Sequence, residues 1–222
     1  MSQRTAELLE FAHGVKGFMP QDEGCALFDI AYEHTRAHSR ATLLEVGAWC
    51  GKSAVYLGGA AEATSSVLYS LDHHHGSEEN QAGWEHFDPE LADSFDGRLN
   101  TLPSWQRTIA AAGLESTVIG LIGPSVVVAQ HFGQALDLLF IDGGHGHDIA
   151  WADYRAWTPK VVVDGLLLIH DVFEDPTQGG RPPYEIYCAA LDSNEFVDVQ
   201  RVGSLRALRR IRSSSGHVVG TN

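Results

Sequence analysis

The 222-residue chain lacks an apolar run of transmembrane length, a paired-cysteine pattern, an internal repeat and an excess of positive charge. Without roughly 20 consecutive apolar residues there is no membrane-spanning helix to expect. The N-terminus, MSQRTAELLEF, does not read as a signal peptide, so a soluble, cytoplasmic protein with no membrane partner is the expectation. The three cysteines (Cys25, Cys50 and Cys188) are odd in number and have no C-x-x-C spacing. That argues against a disulfide framework or a zinc site. Fifteen lysines and arginines face 29 aspartates and glutamates, a net charge of −14. A surface of that sign repels a phosphate backbone, so nucleic acid is not an expected partner. A small neutral or cationic ligand suits it better. With 44% hydrophobic residues and no linker-like stretch, the chain reads as one domain over 1–222.

What is present centres on residues 43–54, LLEVGAWCGKSA. Leu43, Leu44 and Val46 end a buried strand, Gly47 and Gly51 make a turn, and a helical run follows from Ser53. Glycine lets a backbone approach a ligand closely, and a helix start offers unpaired N–H groups. The acid at Glu45 argues against a dinucleotide, whose pyrophosphate would meet a like charge there. A cationic amine or sulfonium would be welcome.

Strands and helices alternate along the chain, which predicts a parallel sheet. Two helices, over residues 5–13 and 23–38, precede a strand at 42–46. A helix over 51–63 and a strand over 67–71 follow, the strand ending at Asp72. An acid at that point is suited to accept from both hydroxyls of a ribose. Residues 73–91, HHHGSEENQAGWEHFDPEL, form a long polar and aromatic stretch. Loops of that length in compact domains tend to be functional. Residues 92–112 read as a helix interrupted at Pro103. A strand at 116–122 precedes the Gly123-Pro124-Ser125 turn and a helix to about residue 131. The strand at 137–141 ends in DGGHGHD, residues 142–148, and a helix spans 151–157. An apolar stretch over 161–169, with a turn near Gly165, ends in His170-Asp171. A helix over 182–191 and an antiparallel hairpin, 195–202 with 205–211, close the pattern. Residues 213–222 carry no core pattern and read as a mobile tail.

Adjacent parallel strands would bring Asp142, His170 and Asp171 to one sheet edge beside the glycine turn. Two carboxylates with open positions describe a Mg²⁺ site, able to orient a hydroxyl and lower its pKa. Imidazole is a poor Mg²⁺ ligand. His170 therefore either stands behind the ligands, or the metal is softer, or there is none.

Residues 43–54 resemble motif I of class I S-adenosylmethionine (SAM) methyltransferases, in its catechol O-methyltransferase form E-x-G-x-x-x-G-x-S. With Asp72, the D-G-G-H at 142–145 and His170-Asp171, the chain is similar to the bacterial sugar O-methyltransferase group over about residues 42–173. The resemblance implies an α/β, Rossmann-like class I methyltransferase fold: a mostly parallel seven-stranded sheet with an antiparallel C-terminal hairpin. It implies SAM contacts at Glu45, Gly47, Gly51, Ser53, Asp72, Ser125 and Asp142, and a Mg²⁺ site at Asp142, His170 and Asp171. His145 lies where related enzymes carry their general base, and His147 is the runner-up. His73, Trp84, His147, Arg181 and Tyr184 are candidates for acceptor contacts. Residues 1–40 would cap the acceptor or build a homodimer contact. The activity implied is O-methylation of a small-molecule or oligosaccharide acceptor, such as the 1-OH of a short 3-O-methylmannoside in polysaccharide biosynthesis. A catechol or other phenol is the alternative acceptor, and a non-catalytic SAM-binding protein is a third reading.

Overall fold

A computed structural model describes residues 2–38, 40–77, 88–94, 96–144 and 146–213. The expectations at Trp84 and His145, and the tail beyond Ser213, lie outside the described residues.

The elements follow in the order α1 (Gln3–Gly14), α2 (Gln21–Thr35), β1 (Thr42–Val46), α3 (Lys52–Ala63), β2 (Val67–Asp72), α4 (Leu102–Ala112), β3 (Val118–Ile122), α5 (Ser125–His131), β4 (Leu136–Ile141), α6 (His147–Trp157), β5 (Val161–Ile169), α7 (Arg181–Asp192), β6 (Phe196–Val202) and β7 (Leu205–Arg210). One seven-stranded sheet runs in the order β3-β2-β1-β4-β5-β7-β6. The pairs from β3 to β5 are parallel, and β7 pairs antiparallel with both β5 and β6. The expected Rossmann-like methyltransferase fold is the one observed.

Each central strand reads as an apolar run because both of its faces are covered. One face packs against α1 to α4, with Leu27, Tyr56, Leu57 and Phe140 fully buried. The other packs against α5 to α7 around Trp157 and Leu139. α2 lies close against α3 because Gly24 has no side chain, and a Cβ there would fall 2.3 Å from the Tyr56 ring.

Three sequence expectations are corrected. The helix expected over 92–112 begins only at Leu102, with Pro103 in its first turn, where a missing N–H is tolerated. The preceding residues instead fold back, Ala92 bridging to Leu99 around Gly97. β5 is one continuous strand whose register against β4 jumps between Leu136 and Leu138, and Asp164 at φ 68° absorbs the irregularity. α6 starts at His147 rather than Trp151, so the last two residues of the acidic, glycine-rich segment, His147 and Asp148, are helical.

The strand tips are tied to their neighbours in the spatial order β2-β1-β4-β5. Gly47 N–H donates to the Leu71 carbonyl at 2.9 Å, Asp142 N–H to the Val46 carbonyl at 2.9 Å, and His170 N–H to the Ile141 carbonyl at 3.1 Å. The strand order reverses between β1 and β4, the switch point where open α/β sheets leave a crevice.

Candidate active site

A cavity of about 1200 Å³ opens beyond the carboxyl ends of β1, β2, β4 and β5. Gly47, Ser53, Asp72, Ser125 and Asp142 line it, as do His73, His170 and Asp171. Gly47 sits at φ 95°, and a Cβ there would fall 2.1 Å from the Asp142 carbonyl oxygen. The glycine is therefore demanded by the close approach of the β4 tip as well as by the turn. Trp49 holds φ 46° and Asp171 φ 55°, left-handed conformations at two residues of the cavity lining. Such values are uncommon outside glycine and persist where surrounding structure enforces them.

Asp72 is held tightly. Its Oδ2 accepts from the Ala48 and Trp49 N–H groups at 3.0 and 2.9 Å, and its Oδ1 from His74 N–H at 2.8 Å. The acid at the end of β2 thus also organises the turn after β1.

Two of the residues expected at the cofactor do not reach the cavity. Glu45 is fully buried beneath the turn and accepts from the Ser70 hydroxyl at 2.5 Å. Burial pushes its carboxyl up to about 8, against the pull of the Ser70 and Ser53 hydroxyls, so it is neutral at pH 7. The attraction for a cation inferred from Glu45 cannot come from a neutral, sequestered acid. Gly51 caps α3 at φ 92° and faces Trp105 and Thr108, within 3.2 Å of a would-be Cβ. Its glycine serves backbone conformation and helix packing.

Three acceptor candidates also stand elsewhere. His147 is exposed at the start of α6, 3.1 Å from Asp148 and 3.8 Å from Glu185. Arg181 stacks over the Tyr184 ring at 4.3 Å and donates to the Glu174 carbonyl, away from the cavity lining.

The sequence reading missed Phe18, Trp49, Lys52 and Asp153. Phe18, in the α1–α2 connection, is 65% exposed, and its ring lies 5.8 Å from that of Trp49 at the cavity wall. Lys52 is the one lysine or arginine among the described lining residues, against aspartates 72, 142, 148, 153 and 171. Asp153 is buried, and burial lifts its carboxyl to about 6, while a Ser125 hydrogen bond and His73 pull it down. Ser125 in turn accepts from the Trp157 indole N–H at 2.8 Å. One signal was available: Asp153 shares the buried stripe of α6 with Ala150 and Trp157. An acid on an apolar stripe asks for an explanation.

At the tips of β4 and β5, Asp142, His170 and Asp171 each offer a ligand atom, all within 4.8 Å of one another. His170 Nδ1 faces Asp142 Oδ1 at 3.0 Å and Asp171 Oδ2 at 3.5 Å. Its Nε2 donates to Glu23 Oε2 at 2.7 Å. Burial lowers the imidazole pKa, but the Asp142 charge and bonds to Asp142, Asp171 and Glu23 outweigh it, giving about 12. This donor set fits a divalent cation, yet one of its three members is a nitrogen, which Mg²⁺ tolerates poorly.

The lining also fits SAM. Among the charged residues described in the lining, aspartates outnumber the one lysine around a chamber large enough for it, which favours a cationic sulfonium and disfavours a pyrophosphate. Phe18 and Trp49 add aromatic surface to the same lining.

Solved structures share this architecture. The chain is similar to the SAH-bound Podospora anserina methyltransferase PaMTH1, at TM-score 0.66 and 12% identity over 96% of this chain and 89% of that one. It is similar to the O-methyltransferase TomG of Streptomyces achromogenes, involved in tomaymycin synthesis and solved with SAM, at TM-score 0.62 and 12% identity over 96% and 91%. A Bacillus cereus O-methyltransferase solved with SAH matches at TM-score 0.61 and 14% identity over 95% and 92%. At these identities the likeness is one of fold. The sequence profile of the methyltransferase domain matches residues 44–172, from within β1 to just past β5, and the chain belongs to that family.

Proposed function

We propose that the protein is a SAM-dependent O-methyltransferase. One observation carries the reading: the turn after β1, Asp72 and Asp142 meet around a single acid-lined cavity. When bound, SAM supplies an electrophilic sulfonium methyl. Asp72 would hold the ribose hydroxyls, and the Ser125 turn would border the adenine. Lys52 and Ser53 would receive the methionine carboxylate at the start of α3, where N–H groups also point outward. Asp142 would face the amine or sulfonium. A divalent cation held by Asp142, His170 and Asp171 would lower the pKa of an acceptor hydroxyl. His145 would take the hydroxyl proton as general base. Catalysis then rests on alignment and on excluding water from the charge pair.

For the acceptor we favour a carbohydrate hydroxyl, at its narrowest the 1-OH of a short 3-O-methylmannoside. His73 on the cavity wall can hydrogen-bond a sugar, and Phe18 and Trp49 can cover its C–H face. The same aromatic pair favours a second reading, a flat phenol. Labelled SAM offered with panels of short, partly O-methylated mannosides and glucosides and of catechols separates the two. Label on a sugar supports the first and label on catechols the second. Clear SAM binding without transfer to either panel would overturn both acceptor readings.

A further inference from the structure

The cluster at the β4 and β5 tips has a member that neither strand supplies. Glu23 lies in the first turn of α2, 147 residues from His170 in sequence, and is only 5% exposed. Its Oε1 accepts from Ser204 N–H at 2.7 Å, and its Oε2 from the Ser204 hydroxyl at 2.9 Å and from His170 Nε2–H at 2.7 Å. The β6–β7 turn closes over it. Gly203 sits at φ 53°, and a Cβ there would fall 2.1 Å from Glu23 Oε1. A carboxylate enclosed in this way has one orientation available.

That orientation sets the imidazole. With Nε2 committed to Glu23, Nδ1 is the ring atom presented to Asp142 and Asp171. A carboxylate behind an imidazole is the arrangement that fixes the tautomer of a metal-binding histidine and raises its basicity. The result is one nitrogen and two carboxylate oxygens within 4.8 Å of one another, on residues that line the cavity. Mg²⁺ asks for oxygen ligands, whereas Mn²⁺, which shares its liking for carboxylates, opens the divalent transition series whose affinity for mixed nitrogen and oxygen sites rises towards Cu²⁺.

We propose that Glu23 is a positioning residue and that the cluster it completes takes a divalent transition cation of the Mn²⁺ kind in preference to Mg²⁺, bound through His170 Nδ1, Asp142 and Asp171. What the cation does for catalysis rests on the methyltransferase reading; its binding and preference do not.

The test uses the full chain with Mn²⁺ and Mg²⁺ as probes. Calorimetric titration should show one Mn²⁺ bound at least about tenfold more tightly than Mg²⁺, by the ligand preference of a nitrogen-containing site. Pulsed electron-spin measurements on the Mn²⁺ form should detect a coupled imidazole nitrogen in the unaltered protein, so the outcome does not depend on a variant folding. Glu23→Gln should weaken Mn²⁺ binding by about 10- to 100-fold, the range for partners behind a metal ligand, with SAM affinity kept. Equal or stronger Mg²⁺ binding, no bound cation, or Mn²⁺ without nitrogen coupling would each overturn the inference. SAM binding and methyl transfer that survive those results would leave the functional reading standing. A chain that binds Mn²⁺ as described but never binds SAM would instead keep the cation site and remove the functional reading.

Discussion

The two sides of the cavity are built in different ways. The cofactor side is local: Gly47, Asp72 and the start of α3 fall within about thirty residues, and three backbone N–H groups hold Asp72. The acceptor side is assembled at long range. Glu23 reaches His170 across 147 residues and Ser204 across 181. A local device can be written as a motif, because a turn and its cap need only neighbours in sequence. A long-range device has no such signature. It exists only once α2, β5 and the β6–β7 turn have packed, so it should also be the side that substitutions in distant elements disturb.

The sharpest test of that difference removes the expected base. His145→Ala should lower turnover by about 10²- to 10⁴-fold with SAM affinity unchanged, as single-turnover kinetics and calorimetry would read. Equal losses in both would mean that the two sides are not separable. Next, Asp72→Asn should weaken SAM binding by about 10- to 150-fold, the equivalent of a hydrogen bond to a charged group. The Mn²⁺ affinity of the acceptor side should stay within about twofold, since separated sites with no shared partners act independently.

Gly47→Ala probes the seam, because its missing Cβ faces the Asp142 carbonyl. It should destabilise the fold by about 1–3 kcal/mol from backbone strain alone, seen as a lower urea midpoint, and should weaken SAM and cation binding together. Loss of only one of these would place the seam elsewhere. The smallest effect at pH 7 belongs to Glu45→Gln, since Glu45 is already neutral there. Its pKa is raised from 4.5 to about 8 in the folded chain, so the folded state binds the extra proton between those values. That contribution to stability is full below pH 4.5 and is lost as pH rises through 8. Urea midpoints taken across that window should therefore fall less steeply for Glu45→Gln than for the native protein. An identical slope would remove Glu45 as the source.

How far each residue was legible follows the same division. Asp72 and Gly47 could be placed from their position after a strand, and both line the cavity. Glu45 belongs to the same motif, yet its location under the turn reversed the electrostatic role assigned to it, because burial neutralised it. His147, Arg181 and Tyr184 were chosen for residue type. Helix phase and stacking decide where such side chains point, and here they point away. Glu23 and Asp153 carried a signal that went unread, each being an acid on the buried stripe of its helix.

By itself the sequence determined the alternation of strands and helices, the antiparallel closing hairpin and the glycine turn with its partner acid. These follow from periodicity and backbone conformation, which are properties of neighbouring residues. Only the tertiary structure decided which carboxyls stay ionised, which ring nitrogen of His170 faces the cavity and which helix closes the cluster behind it. Those depend on burial and on groups brought within hydrogen-bond distance from far along the chain, and no local pattern encodes them.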